Sequence, residues 1–108
     1  MLAKNLFLVY IIFTMKLYLD DVRDIPEGHV GCRTAEEAMH LIDRRAVTFI
    51  SFDHDLGTEL TGYDVACHVE QLVQAQLIKM PKWHIHSANP IGAKRIMQAL
   101  MSAERYIK

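Results

Sequence analysis

Apolar and polar positions along this chain alternate between two periods, and the alternation predicts strands and helices in turn. Lys16–Asp20 reads as a short strand closing on paired acids, followed by a loop through Pro26 and Gly28. His29–Arg33 is a second short strand. Thr34 then caps a helix whose apolar stripe is Ala35, Ala38, Met39 and Ile42, with Glu36 and Glu37 in the dipole-favoured first turn. Val47–Phe52 is apolar on both faces, as a central parallel strand requires. After a loop to about Thr61, Val65, Ala66, Val69, Leu72, Val73 and Leu77 mark a long helix closed before Pro81. Trp83–Ser87 is the next strand. Asn89-Pro90 starts a last helix whose stripe is Ala93, Ile96, Met97, Leu100 and Met101. Strand and helix alternate, so the predicted class is α/β, with a mostly parallel, three-layer arrangement.

The first fourteen residues stand apart from this pattern. Leu6–Phe13 is apolar but far shorter than the roughly 20 residues of a membrane span, and Phe13-Thr14-Met15 is not a small-residue cleavage site. Residues 1–14 are therefore expected to be an upstream extension, with Met15 as the natural start of a domain over residues 15–108.

Composition narrows the classes of function. With 51% apolar and 23% charged residues, the 108-residue chain can build one core and is neither disordered nor repetitive. Twelve Lys+Arg against thirteen Asp+Glu give a net charge of -1, so no global field draws the protein to membranes or a long nucleic-acid track. Phosphate must then be held locally. Two cysteines, Cys32 and Cys67, are too few for a disulfide scaffold and suit a cytoplasmic protein.

In open α/β sheets chemistry gathers at the carboxyl ends of the strands. Those ends carry Asp20-Asp21, Asp53-His54-Asp55 and His86-Ser87-Ala88-Asn89. Converging carboxylates repel unless a cation lies between them, which points to Mg²⁺ or, with histidine beside the acids, Mn²⁺. Asp20, Asp21 and Asp53 are the candidate metal ligands. Arg23, Ser87 and Asn89 are candidate phosphate or substrate contacts, as is Asp55, which could also orient His54 or complete the metal shell. His54 and His86 are candidate acid–base groups. Of the remaining histidines, His84 reads as a packing residue and His29, His40 and His68 as surface residues.

These residues carry a family resemblance. Leu19-Asp20-Asp21, Asp53 and Ser87-Ala88 resemble the response-regulator receiver fold. The fuller strings Leu19–Arg23, Ser51–Gly57, Thr61–Val65 and His86–Pro90 resemble the cyclic-phosphate processing receiver domains, over Met15 to about Gln98. The resemblance implies a truncated receiver-like, flavodoxin-like fold. It also implies an acidic pair and Asp53 holding Mg²⁺, with Asp53 as phosphoacceptor and Ser87 reading the phosphoryl group. It suggests action on cyclic phosphate ends in RNA repair or related nucleotide metabolism.

Two departures shape the expectation. Asp21–Gly28 leaves no room for a crossover helix between the first two strands, and the chain ends where a receiver continues into its fifth strand. The second argues against a phosphorelay switch, since a receiver signals through that last part of the fold, while His54, His86 and Asn89 supply groups that phosphoacceptance alone does not need. The expected function is a metal-dependent cyclic phosphoesterase in which Asp53, His54, His86 and Ser87 are catalytic. The rivals are a non-catalytic, Mg²⁺-binding regulatory module with Asp53 as phosphoacceptor and, less favoured by the spacings, a transition-metal hydrolase. The substrate is left open among RNA ends, cyclic nucleotides and phosphorylated ADP-ribose derivatives.

Overall fold

The computed structural model describes residues 14–107, so the upstream segment expected from the sequence lies, but for Thr14, outside the described residues. Four strands, β1 (Met15–Leu19), β2 (Val30–Cys32), β3 (Val47–Phe52) and β4 (Lys82–Ile85), form one parallel sheet in the order β2-β1-β3-β4. Three helices join or follow them: α1 (Ala35–Asp43), α2 (Gly62–Gln74) and α3 (Pro90–Glu104). The α/β class, the parallel sheet and the receiver-like element order are those the sequence predicts.

Each helix starts on a cap written in the sequence. The Thr34 hydroxyl accepts the Glu37 amide, and the Asn89 side chain accepts the Gly92 amide ahead of Pro90. Thr61 and Asp64 form a reciprocal capping box at the start of α2, which fixes where the loop after β3 ends. That helix closes at Gln74, with Gln76 in the left-handed region (φ 59°) and the Leu77 amide bonded back to Leu72.

Alternation along the strands sends Leu17, Leu19, Ile50 and Phe52 to one side, where they are fully buried. There they meet Ala35, Ala38 and Ile42 of α1, Val65, Val69 and Val73 of α2, and Ile96, Leu100 and Ala103 of α3. Full burial of each large apolar side chain is worth about 1.5–3 kcal/mol, so this single cluster carries the fold. Both crossovers, β2 to β3 and β3 to β4, run the same way along the sheet, and right-handed connections then place their helices on the same face. Helix α3 packs on α2 and β4 and completes that layer. The second helical layer of a three-layer arrangement has no representative among the described residues. The other sheet face carries Lys16, Tyr18, Phe49, Ser51, Lys82 and His84 instead.

Candidate functional site

Register builds the site. Leu19, Phe52 and Ile85 are aligned neighbours at the ends of β1, β3 and β4. The ladder runs one step further: the Asp53 amide donates to the Leu19 carbonyl at 2.9 Å and the His86 amide to the Phe52 carbonyl at 2.9 Å. Asp20, Asp53 and His86, the first residues past three strands, therefore stand side by side. One ligand atom from each lies within 4.8 Å of the others.

Asp20 is the most heavily bonded member. Its Oδ1 accepts the amides of Val22 (2.9 Å) and Arg23 (2.8 Å), and its Oδ2 accepts from Arg23 Nη1 (2.6 Å) and His86 Nε2 (3.0 Å). Burial opposes its charge, but these donors outweigh it and hold the carboxyl well below the usual range. Asp53 shows the opposite balance. Burial, reinforced by the neighbouring Asp20 charge, raises it, against the opposing pull of the His54 amide, Arg23 and His86. Arg23 Nη1 lies 3.4 Å from Asp53 Oδ2, so one guanidinium bridges the two acids. Arg33 pins the loop beneath it by donating to the carbonyls of Asp20 (3.1 Å) and Arg23 (2.7 Å).

His86 is held at both ring nitrogens, with Nδ1 2.7 Å from the Ser51 hydroxyl and the ring stacked on Tyr18 at 4.3 Å and 3°. A hydroxyl can donate or accept, so Ser51 supports either tautomer. With the proton on Nδ1, Nε2 is free to act as a ligand.

A second constellation follows Asp53. His54 Nδ1 lies 2.8 Å from Asp55 Oδ1, and Asn89 Nδ2 reaches both Asp55 oxygens at 3.3 and 3.4 Å. The hydrogen bonds from His54 and Asn89 hold the Asp55 carboxyl below its ordinary value. The His54 ring rests on Gly92 of α3, where a Cβ would come within 2.3 Å of Cγ. Gly62 is equally constrained, since a Cβ there would meet the Asp53 carbonyl.

The structure thus brings together Asp20, Asp53, His86 and Arg23, and separately His54, Asp55 and Asn89. Asp21 is not in the three-residue cluster. It is half-buried, and its Oδ2 lies 3.2 Å from where a Cβ would stand on Gly57, a residue at φ 70°. Ser87 is half-buried and its Oγ accepts the Asn89 amide at 3.0 Å.

Two histidine readings are corrected. His84 is exposed on the outward face of β4 rather than packed, because no described helix covers that side. His29 is half-buried between the rings of Tyr18 (6.2 Å) and Phe49 (5.8 Å) rather than a free surface residue. His40 is exposed, and His68 pairs with Asp43 at 2.7 Å. Ser51 and Tyr18 were not legible as site residues. A hydroxyl among Phe49, Ile50 and Phe52 at the buried end of the central strand was the available signal, since such a group needs a buried partner.

A parallel α/β sheet with acids closing its central strands defines a receiver-type domain. Residues 15–102 match the profile of the cyclic-phosphate processing receiver domain, and the chain belongs to that family. No curated protein and no solved structure gives a significant match. Both cysteines are free, and burial pushes the Cys32 thiol up to about 11, which marks it as a packing residue. Among the described residues, no helix is long and apolar enough to cross a membrane.

Proposed function

We propose that this domain is a divalent-cation-dependent phosphoesterase that opens cyclic phosphates on nucleotides or RNA ends. The observation that carries this reading is the close approach of Asp20, Asp53 and His86 around a single guanidinium. Two carboxylates and one imidazole fit a divalent cation, with the oxygens suiting Mg²⁺ and the nitrogen widening the choice to Mn²⁺. Burial first, and then the neighbouring Asp20 charge, raise the Asp53 carboxyl, and a cation between the two acids would offset both. Asp20, Asp53 and His86 would hold the ion, with Asp21 on the adjacent loop as the further acid of the pair. Bound there, the cation would neutralise and polarise a phosphoryl oxygen.

The chain's own groups do the rest. The exposed Arg23 guanidinium shifts from the acids to the non-bridging phosphoryl oxygens, a pairing its planar fork favours. Ser87 has a hydroxyl proton to donate to the same group. Asp55, itself held by Asn89, keeps the His54 proton on Nδ1 and leaves Nε2 to work as acid and base. As the new bond to phosphorus forms, from Asp53 or from water, the phosphorus–ribose oxygen bond breaks. In the imidazolium form His54 carries a second proton on Nε2, which the departing oxygen takes, and the neutral ring then accepts at Nε2 the proton released by the water that attacks phosphorus or hydrolyses the Asp53 ester. His86, bonded at both nitrogens, is a ligand and positioning group rather than the proton donor.

The second reading, a regulatory module that keeps a phosphoryl group on Asp53, draws on the receiver position of that residue. Chromatography of a 2′,3′-cyclic nucleotide incubated with the protein and Mn²⁺ separates the two. The phosphoesterase yields a phosphate monoester over many turnovers, whereas the module yields at most a stoichiometric aspartyl-phosphate from acetyl phosphate.

A further inference from the structure

The sheet face that no described helix covers is not a random surface, and on it Ser51 is buried while Tyr18 and Phe49 are half-buried. Strand register places Tyr18, Ser51 and His84 side by side in one row, and Lys16, Phe49 and Lys82 in the next. No acid occupies these positions, and Lys16, Lys82 and His84 are exposed. The rings are in contact: His86 stacks on Tyr18, and His29 meets Tyr18 and Phe49 edge-on. This aromatic row begins at His86, a member of the candidate metal cluster, and runs down the sheet from it. At about 3.3 Å per residue, the Tyr18 row lies about 7 Å and the Phe49 row about 13 Å below the strand-end acids. Ile25 closes the far edge by lying over Gly31.

We propose that this face seats the nucleotide preceding the cyclic phosphate, so that the substrate is the end of a single-stranded RNA. The inference rests on the phosphoesterase reading above and names its substrate. The preceding base packs on the Phe49 and His29 rings, and its phosphate lies between Lys16 and Lys82. Sheets that expose aromatic side chains bind single-stranded bases in this way, since every base has a face to stack. Charge selects the occupant. Two copies of a cationic face repel each other, whereas an anionic backbone with flat bases matches both features. The footprint is two nucleotides, consistent with a chain that has no net positive charge.

The test compares an RNA trinucleotide ending in a 2′-phosphate with adenosine 2′-monophosphate, both added to the full chain in EDTA and followed by NMR of the aromatic rings. The expected result is at least about ten-fold tighter binding of the trinucleotide, within the range that base–aromatic stacking supplies, with shifts at Phe49 and His29. Phe49→Ala, and separately Lys16→Glu with Lys82→Glu, bring the trinucleotide down to the mononucleotide level and leave mononucleotide binding unchanged. The exposed lysine pair keeps the test valid if Phe49→Ala does not fold. Equal affinity for the two probes, a preference that survives both variants, or a dimer that buries Phe49 overturns the inference. Turnover of adenosine 2′,3′-cyclic phosphate with Mn²⁺ is measured on the same samples. Turnover without trinucleotide preference removes the RNA face alone. Preference without turnover removes the phosphoesterase reading and leaves the face.

Discussion

His86 Nε2 stands 3.0 Å from Asp20 Oδ2 although the two residues are 66 apart in the chain. They meet because β1, β3 and β4 end in register, and β3 between them delivers Asp53 to the same place. The contact joins an imidazole to a carboxylate that also accepts from Arg23 and two amides. It makes His86 part of the three-residue group whose ligand atoms could hold a cation, which sets the first prediction.

Replacing His86 by Asn leaves an oxygen donor but removes the imidazole. Isothermal titration is expected to show Mn²⁺ affinity falling by at least ten-fold while Mg²⁺ affinity changes little, because imidazole favours the transition metal. Ser51→Ala is expected to give a smaller loss of the same kind, as removal of a second-sphere partner does.

Asp53→Asn is expected to stabilise the cation-free protein at pH 7 while abolishing turnover. Asp53 is raised in the fold, so its ionised form costs stability above the ordinary carboxylate range, and that cost fades as pH falls through its raised value. Thermal unfolding in EDTA should therefore show the variant a few degrees more stable at pH 7 and the difference vanishing near pH 3. Asp20 has the opposite sign. Its depressed value contributes stability that is present above about pH 4, the unfolded carboxyl range, and is lost below it. Asp20→Asn should consequently be less stable than the parent at pH 7, by about 1–3 kcal/mol in urea, the scale of hydrogen bonds to a charged group.

Arg23→Ala separates charge neutralisation from phosphate binding. Its guanidinium bridges Asp20 and Asp53, so the variant is expected to bind Mn²⁺ at least as tightly as the parent. Steady-state kinetics should show KM for a cyclic nucleotide raised about ten-fold or more through loss of a charge-assisted contact.

Gly92 tests the seat of His54. A methyl group there would overlap the imidazole ring, so Gly92→Ala should displace His54 while the helix, which favours Ala over Gly, still forms. The expected kcat loss is about 10²–10⁴, matching His54→Gln, as befits removal of a general acid. Mn²⁺ binding should be unchanged, because Asp20, Asp53 and His86 do not rest on Gly92.

Much of this fold was legible from local chemistry. Strand β3 over Val47–Phe52 and the caps at Thr34 and Asn89 follow from apolar runs and short polar side chains, and those signals survive folding. The three strand ends that carry the site were legible for the same reason. The partners of His86 were not, because they depend on inter-strand register, which no local pattern encodes. Alternation put His84 and His86 on one face but was silent on whether a helix covers it. That depends on the direction of both crossovers, and it decides that His84 is exposed while His86 is bonded. The absence of Asp21 from the Asp20–Asp53–His86 cluster has the same origin. Adjacent residues past a strand turn to different sides, and only the first continues the ladder.

The most direct test of the central claim is turnover of adenosine 2′,3′-cyclic phosphate by the full chain with Mn²⁺, followed by chromatography of the monoester. The account predicts many product molecules per protein, none in EDTA, and none from Asp53→Asn. A stable aspartyl-phosphate at Asp53 after acetyl phosphate treatment, with no cation-dependent opening of the cyclic phosphate, would contradict it.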